Sequence, residues 1–177
     1  MLVKPAVEGT MAVCRACHAH KVKRLVITSS VAAIMGQRPE NLTNIFTEEH
    51  WSDEEYQRTS SAYALSKTLA EKAAWNFLKE LPDGEKFEMA TINPSLVVGK
   101  PLHAHAGFSS AEIVMKTFTG EFPVLNIKFG LVRVEDVSLA HLRAITTPEA
   151  AGKRFILSGQ NIWLREVAQI MATEFNP

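Results

Sequence analysis

What this chain has little of narrows its possibilities. Its 177 residues hold only two cysteines, Cys14 and Cys17, too few to staple a small domain or to close a four-ligand zinc site by themselves. Charge of one sign is not in excess. The 19 basic side chains meet 19 acidic ones, which argues against a nucleic-acid or anionic-membrane surface. No run of 18 apolar residues occurs, so no transmembrane helix is expected. The opening "MLVKPAVEGT" lacks the basic-then-apolar layout of a secretory signal. A cytoplasmic chain with reduced thiols is therefore expected, with the sequon Asn41-Leu42-Thr43 idle. The nine glycines stand at 9, 36, 84, 99, 107, 120, 130, 152 and 159. Neither G-x-G-x-x-G nor G-x-x-G-x-x-G can be drawn from them, so a phosphate-cradling turn of that kind is missing.

What remains is an ordinary globular mix, 46% apolar and 21% charged, long enough for one domain, or one and a half, with a real core. The stretch "VCRACHAH", residues 13–20, spells C-x-x-C-H, a haem-attachment pattern and also half a zinc site or a redox pair. The same residues have a plainer reading. Val7, Met11, Cys14 and Cys17 fall at i, i+4, i+7 and i+10, one stripe of an amphipathic helix, and cysteine is a good small buried residue. Inward packing on a helix from about Pro5 to His20 is expected, with no metal. His103 and His105, two histidines of a loop without further ligands, are read the same way.

The order of elements gives the fold class. "KRLVITSS", 23–30, reads as a strand buried on both faces, and 36–60 as a long polar surface loop containing Trp51. "SSAYALSKTLAEKAAWNFLKEL", 60–81, is a helix with Ala64, Leu65, Leu69, Ala73 and Phe77 on its apolar face. "KFEMATINPSLVVG", 86–99, reads as a strand ending at Pro94. A short strand and a helix capped by Asp136 fill 129–145, a strand fills 152–159, and a helix fills 164–175. Alternation of helix and strand predicts an α/β protein with a parallel sheet.

Chemistry points to Tyr63 and Lys67. Four residues apart on a helix, they share a face one turn apart. A phenol is a poor acid-base catalyst near neutral pH, and an ammonium beside it favours the phenolate. Alone, Tyr-x-x-x-Lys is a weak motif. Ser29 and Ser30 add context, because they end a buried strand, and ligands of parallel α/β sheets sit beyond the carboxyl ends of the strands. A hydroxyl there can hold a substrate oxygen beside the tyrosine, or simply cap the turn.

The stretches "VKPAVEGTMAVCRAC", "VKRLVITSS", "FTEEHWSD", "YALSKTLAEKAAW", "INPSLVVG" and "RVEDVSLAH" together resemble the extended short-chain dehydrogenase/reductases, in the dihydroflavonol-4-reductase-like branch. The resemblance covers nearly the whole chain. It implies a Rossmann-type, doubly wound parallel sheet that binds NAD(P), here partial and lacking its first strands, plus part of a small C-terminal substrate-binding region. The expected division is 1–99 for the C-terminal half of the catalytic domain and 100–177 for the substrate region, with Rossmann elements returning at about 129–158.

The resemblance also implies roles. Ser30 matches the catalytic serine that orients a carbonyl, Tyr63 the general acid, and Lys67 the lysine that assists the tyrosine and binds the nicotinamide ribose. Pro94, Ser95, Leu96 and Val97 match the segment lining the nicotinamide pocket, and Ser110 a later cofactor-contacting serine. The implied reaction is hydride transfer between NADPH or NADH and a ketone or aldehyde, with no metal. The glycine-rich turn of the family has no counterpart here, so an inactive fragment is the rival expectation. Sugar-nucleotide epimerases and dehydratases use the same Tyr-Lys pair, but "EKAAW" and Trp51 resemble the reductase branch, within which a hydroxysteroid dehydrogenase is a further option. An exposed edge on the strand at 25–29 would invite self-association.

Overall fold

A computed structural model describes residues 2–41, 45–100, 109–119, 121 and 126–175. In chain order the elements are α1 (Val3–Ala19), β1 (Arg24–Thr28), α2 (Glu54–Ser60), α3 (Ala62–Glu80), β2 (Glu88–Pro94), β3 (Leu96–Val98), α4 (Ser109–Phe118), β4 (Lys128–Arg133), α5 (Val134–Thr146), β5 (Arg154–Leu157), β6 (Asn161–Trp163) and α6 (Leu164–Phe175). They fall into two compact units. One is Met1–Pro94 with Leu139–Leu157, and the other Ser95–Ser138 with Ser158–Pro177.

The first unit is a three-stranded parallel sheet in the order β1-β2-β5. The pleat sorts its side chains by period two. Leu25, Ile27 and Met89 pack toward Cys14 and Cys17 of α1 and Ala74 of α3. Val26, Ala90, Ile92, Phe155 and Leu157 pack toward Ala140 and Ala144 of α5. Helices on two faces of a parallel sheet are the doubly wound arrangement, here in partial form. Both cysteines are buried and free, as the helical stripe predicts. α1 stops where Lys21 takes a left-handed φ of 51°, while the Val22 N–H returns to the Cys17 carbonyl at 2.9 Å, a common way to satisfy a helix's last carbonyls.

Three local expectations change. The stretch 36–60 is not all loop, because Asp53 accepts from the Tyr56 N–H and starts α2. A short polar helix leaves no apolar period to detect. α3 starts at Ala62 rather than 60 because Ser61 is extended there, closing α2 and accepting from the Ala64 N–H. The buried face of α3 is also rotated. Ala64, Leu65, Ala70 and Ala74 are buried, but so are Thr68 and Glu71, whereas Leu69, Ala73 and Phe77 are only partly covered.

The two edges of this sheet differ. Along β5, the segment before Trp51 covers the edge: the Ile156 N–H donates to Glu48 Oε1 at 3.1 Å, and Arg154 Nη1 donates to the carbonyls of Glu48 and His50, each at 2.6 Å. Among the described residues β1 pairs with β2 alone. Beside it lies a cleft of about 290 Å³ lined by Gly9, Thr10, Val13 and Leu25–Ile27.

In the second unit β3 runs parallel to β4, and β6 pairs antiparallel with β4. The strand read within 86–99 ends at Pro94 as expected; Leu96–Val98, not read as a strand, pairs in the other sheet, and the three-residue β6 is too short to signal itself in sequence. Gly130 is closely approached: a Cβ there would crowd the Ser158 hydroxyl, which would have to turn away. Asp136 does not cap α5. It lies inside the first turn with Glu135, where the positive end of the helix dipole favours a carboxylate. Among the described residues no helix is long and apolar enough to cross a membrane.

Candidate active site

The chain leaves β1 at its carboxyl end. The Ser29 N–H still donates to the Ile92 carbonyl at 2.7 Å, the last rung toward β2. Ser30 is extended, with φ −164° and ψ 155°, and its Oγ accepts from the Ala32 N–H at 3.1 Å to begin a 3-10 turn at Val31–Ala33. The hydroxyl thus caps the turn as an acceptor. Its own proton meets no acceptor among the described residues. A capping serine can still donate, because a hydroxyl carries one proton and two lone pairs.

That 3-10 turn packs against α3. Tyr63 is the second residue of the helix and 49% exposed. Lys67, one turn on, is half-buried. The structure therefore brings Ser30, Tyr63 and Lys67 onto neighbouring elements at the carboxyl end of the sheet. Pro94 closes β2 beside them in the sheet order. Ser95, Leu96, Val97 and Ser110 belong to the second unit, the first three at and within β3 and the last in α4. Ser95 Oγ is buried and has no hydrogen-bond partner among the described residues. His103 and His105 lie outside the described residues. No group of three or more histidine, cysteine, aspartate or glutamate side chains among the described residues is placed to hold a metal.

A second layer beneath these residues was not foreseen. Glu71, 2% exposed on α3, accepts from Ser29 Oγ at 2.5 Å and Asn93 Nδ2 at 2.8 Å on one oxygen. Its other oxygen accepts from Arg154 Nε at 2.6 Å, Thr91 Oγ1 at 3.1 Å and Trp75 Nε1 at 3.3 Å. A buried carboxylate is tolerable only when paired and fully hydrogen-bonded, and this one is. The sequence did carry a signal. Thr91 and Asn93 put polar groups at alternate positions of an otherwise apolar strand, and Glu71 follows Lys67 by one more helical turn.

Comparison with known proteins bears on this arrangement. The profile of the 3-beta hydroxysteroid dehydrogenase/isomerase family, an extended short-chain dehydrogenase/reductase family, matches residues 2–176. The chain belongs to this family. Among its relatives is the cinnamoyl-CoA reductase CAD2 of Medicago truncatula, 35% identical over 159 residues that make up 88% of this chain and 47% of the relative. The NADPH-dependent methylglyoxal reductase GRE2 of Saccharomyces cerevisiae is 34% identical, across 98% of this chain and 55% of that protein. The crystal structure of yeast methylglyoxal/isovaleraldehyde reductase Gre2 complexed with NADPH superposes with a TM-score of 0.82 at 31% identity, over 98% of this chain and 55% of the other. The chain thus spans about half the length of the relatives it matches, and those relatives are reductases of the dihydroflavonol-4-reductase-like kind.

Proposed function

We propose that this chain carries the reaction centre of a cytoplasmic NAD(P)H-dependent reductase that converts a small ketone or aldehyde to an alcohol. The observation that carries the reading is the setting of Ser30: its oxygen is held by the Ala32 N–H, no described residue accepts from its hydroxyl, and it starts a turn packed against the helix of Tyr63 and Lys67. Family membership supports it, as does the similarity to an NADPH-dependent reductase.

In this reading Ser30 Oγ donates to the carbonyl oxygen and fixes its direction. Tyr63 donates a second hydrogen bond to the same oxygen and passes its proton there as negative charge develops. Lys67, one turn away, stabilises the phenolate that remains and binds the nicotinamide ribose. The nicotinamide cofactor, when bound, supplies the hydride. Pro94, Ser95, Leu96, Val97 and Ser110 are assigned to cofactor contact, supported at Ser95 by its unpartnered buried hydroxyl oxygen. In this reading these residues would hold the nicotinamide end of the cofactor. No glycine-rich turn is available for the pyrophosphate.

The test is a fluorescence titration of the folded, monodisperse chain with NADPH and then NADH, followed by turnover of small aldehydes and ketones. Saturable micromolar binding with carbonyl-dependent oxidation of the cofactor is expected. A folded chain that binds neither nucleotide is instead a non-catalytic fragment. In this reading the edge of β1, which pairs only with β2 among the described residues, would offer this chain a surface for self-association, which sedimentation at rising concentration reads directly.

A further inference from the structure

Ser30 is the first residue beyond the β1–β2 ladder, so the sheet itself does not fix its direction. Its carbonyl is held from two sides. The Ala33 N–H donates to it at 3.0 Å from within the turn, and Asn93 Nδ2 donates to it at 3.1 Å from the neighbouring strand. Asn93 has no exposed surface. The same Nδ2 donates its other proton to Glu71 Oε2 at 2.8 Å, and an amide nitrogen has two protons to give. Asn93 Oδ1 lies 3.1 Å from Thr91 Oγ1, which can donate there or to Glu71 but not to both at once. The orientation of the amide is thereby defined: a flipped side chain would set its oxygen against both the Glu71 carboxylate and the Ser30 carbonyl.

We infer that Asn93, braced by Glu71, is a positioning residue that aims the Ser30 hydroxyl at the substrate oxygen. The inference rests on the assignment of Ser30 to the carbonyl. Asn93 touches neither substrate nor cofactor in this account. It acts through the Ser30 backbone, while Glu71 ties it to the helix bearing Tyr63 and Lys67. Donor and acid are then held relative to each other by one chain of buried hydrogen bonds. Small errors in such a geometry are costly, since a misplacement of about 1 Å can lower a rate by about a hundredfold.

Two measurements on the full chain test this. The first is amide hydrogen exchange in Asn93→Ala, with Asn93→Leu as the shape-preserving variant if the alanine does not fold. The Ala32 and Ala33 amides, both bonded to Ser30, should exchange at least ~10-fold faster, with mid-α1 amides unchanged. Unchanged exchange at Ala32 and Ala33 overturns the inference. The second is a double-mutant cycle on kcat. Asn93→Ala should lower kcat by about 10- to 100-fold when Ser30 is present, and by less than about threefold in Ser30→Ala, with NADPH affinity kept. Equal losses in both backgrounds would mean Asn93 acts by general destabilisation and would also overturn it. A wild-type chain that turns over no carbonyl counts against the reductase reading, and the exchange measurement then decides the role of Asn93 alone.

Discussion

The carboxylate of Glu71 stands 2.5 Å from the hydroxyl of Ser29, and so joins the helix that bears Tyr63 and Lys67 to the strand that delivers Ser30. Tyr63, Lys67 and Glu71 are spaced by four residues along α3, so successive residues turn by about 40° around the axis. Tyr63 is exposed, Lys67 is half-buried and Glu71 is buried. One helix thus presents Tyr63 to solvent at its start and anchors itself two turns later. The anchor fixes the rotation of the helix, and with it the direction of Tyr63 and Lys67.

Removing the proton donor is the most direct test of the reaction. In Tyr63→Phe the ring remains and the hydroxyl is lost. Turnover should fall by at least ~100-fold, the scale of a positioned general acid, while NADPH affinity changes little. Lys67→Met should lower both turnover and affinity, because the proposed role of that ammonium is to serve the tyrosine and the ribose together. Stopped-flow turnover beside the nucleotide titration separates the two effects, and near-normal rates in Tyr63→Phe would sink the assignment.

Glu71 carries the largest expected stability effect. Glu71→Gln keeps the shape but leaves the Arg154 guanidinium, 9% exposed at its side chain, without its counter-ion. Breaking a buried pair by removing one partner typically costs about 3–5 kcal/mol. Urea denaturation should show a loss in that range with little change in slope. Arg154 also stacks 3.7 Å from the centre of the Trp51 ring, so the indole fluorescence should report loosening of the 48–51 segment in the same variant. A loss below ~1 kcal/mol would mean that the Glu48 and His50 carbonyls satisfy the guanidinium without the carboxylate.

Much of this was legible in the sequence, and the rest failed for identifiable reasons. The Leu25-Val26-Ile27 run, the long helix through Tyr63 and Lys67, and the cysteine stripe of α1 all follow from period and residue type. α2 was missed because seven polar residues carry no apolar signal, and its start depends on one aspartate cap. The apolar face assigned to α3 was rotated because hydrophobicity alone marks Glu71 as a solvent residue. Its burial becomes intelligible only when Ser29, Asn93 and Arg154, separated by 42, 22 and 83 positions in sequence, are brought to it by three different strands or strand ends. Partners so distant leave no local pattern. The site assignments rested on resemblance, and the geometry now gives Ser30 a physical state that the assignment lacked.

The cysteines lead to a chemical prediction. Cys14 is fully buried and Cys17 nearly so. Burial pushes the Cys14 thiol above its ordinary value, and the neighbouring Cys17 pushes it the same way. The thiolate is the reactive form, which disfavours reaction at Cys14, and burial shields both sulfurs from reagent, so both groups should resist a disulfide reagent in the folded chain at pH 8 and react promptly in guanidinium. Rapid labelling of either cysteine in the native state would reopen the redox reading of the C-x-x-C pair.

Asp53 provides a pH test of the start of α2. Its carboxyl is held below the usual carboxylate range, chiefly by the Tyr56 N–H it accepts from and next by the hydrogen bond from Arg38. Arg38 Nε lies 2.8 Å from its Oδ2. A carboxyl whose folded value lies below its unfolded value binds protons less readily in the folded state. Its stabilisation is therefore fully present above the unfolded value and is lost as pH falls through the folded one. Asn at this position can still cap, but it cannot carry the charge. The denaturation midpoints of the wild type and Asp53→Asn should thus differ by a constant amount from about pH 7 to 5 and converge as pH falls below the ordinary aspartate value of about 4. Because the pair is at the surface, ~1 M salt should also shrink the difference at neutral pH. A gap that widened on acidification would show that the charge on Asp53 opposes folding rather than favouring it.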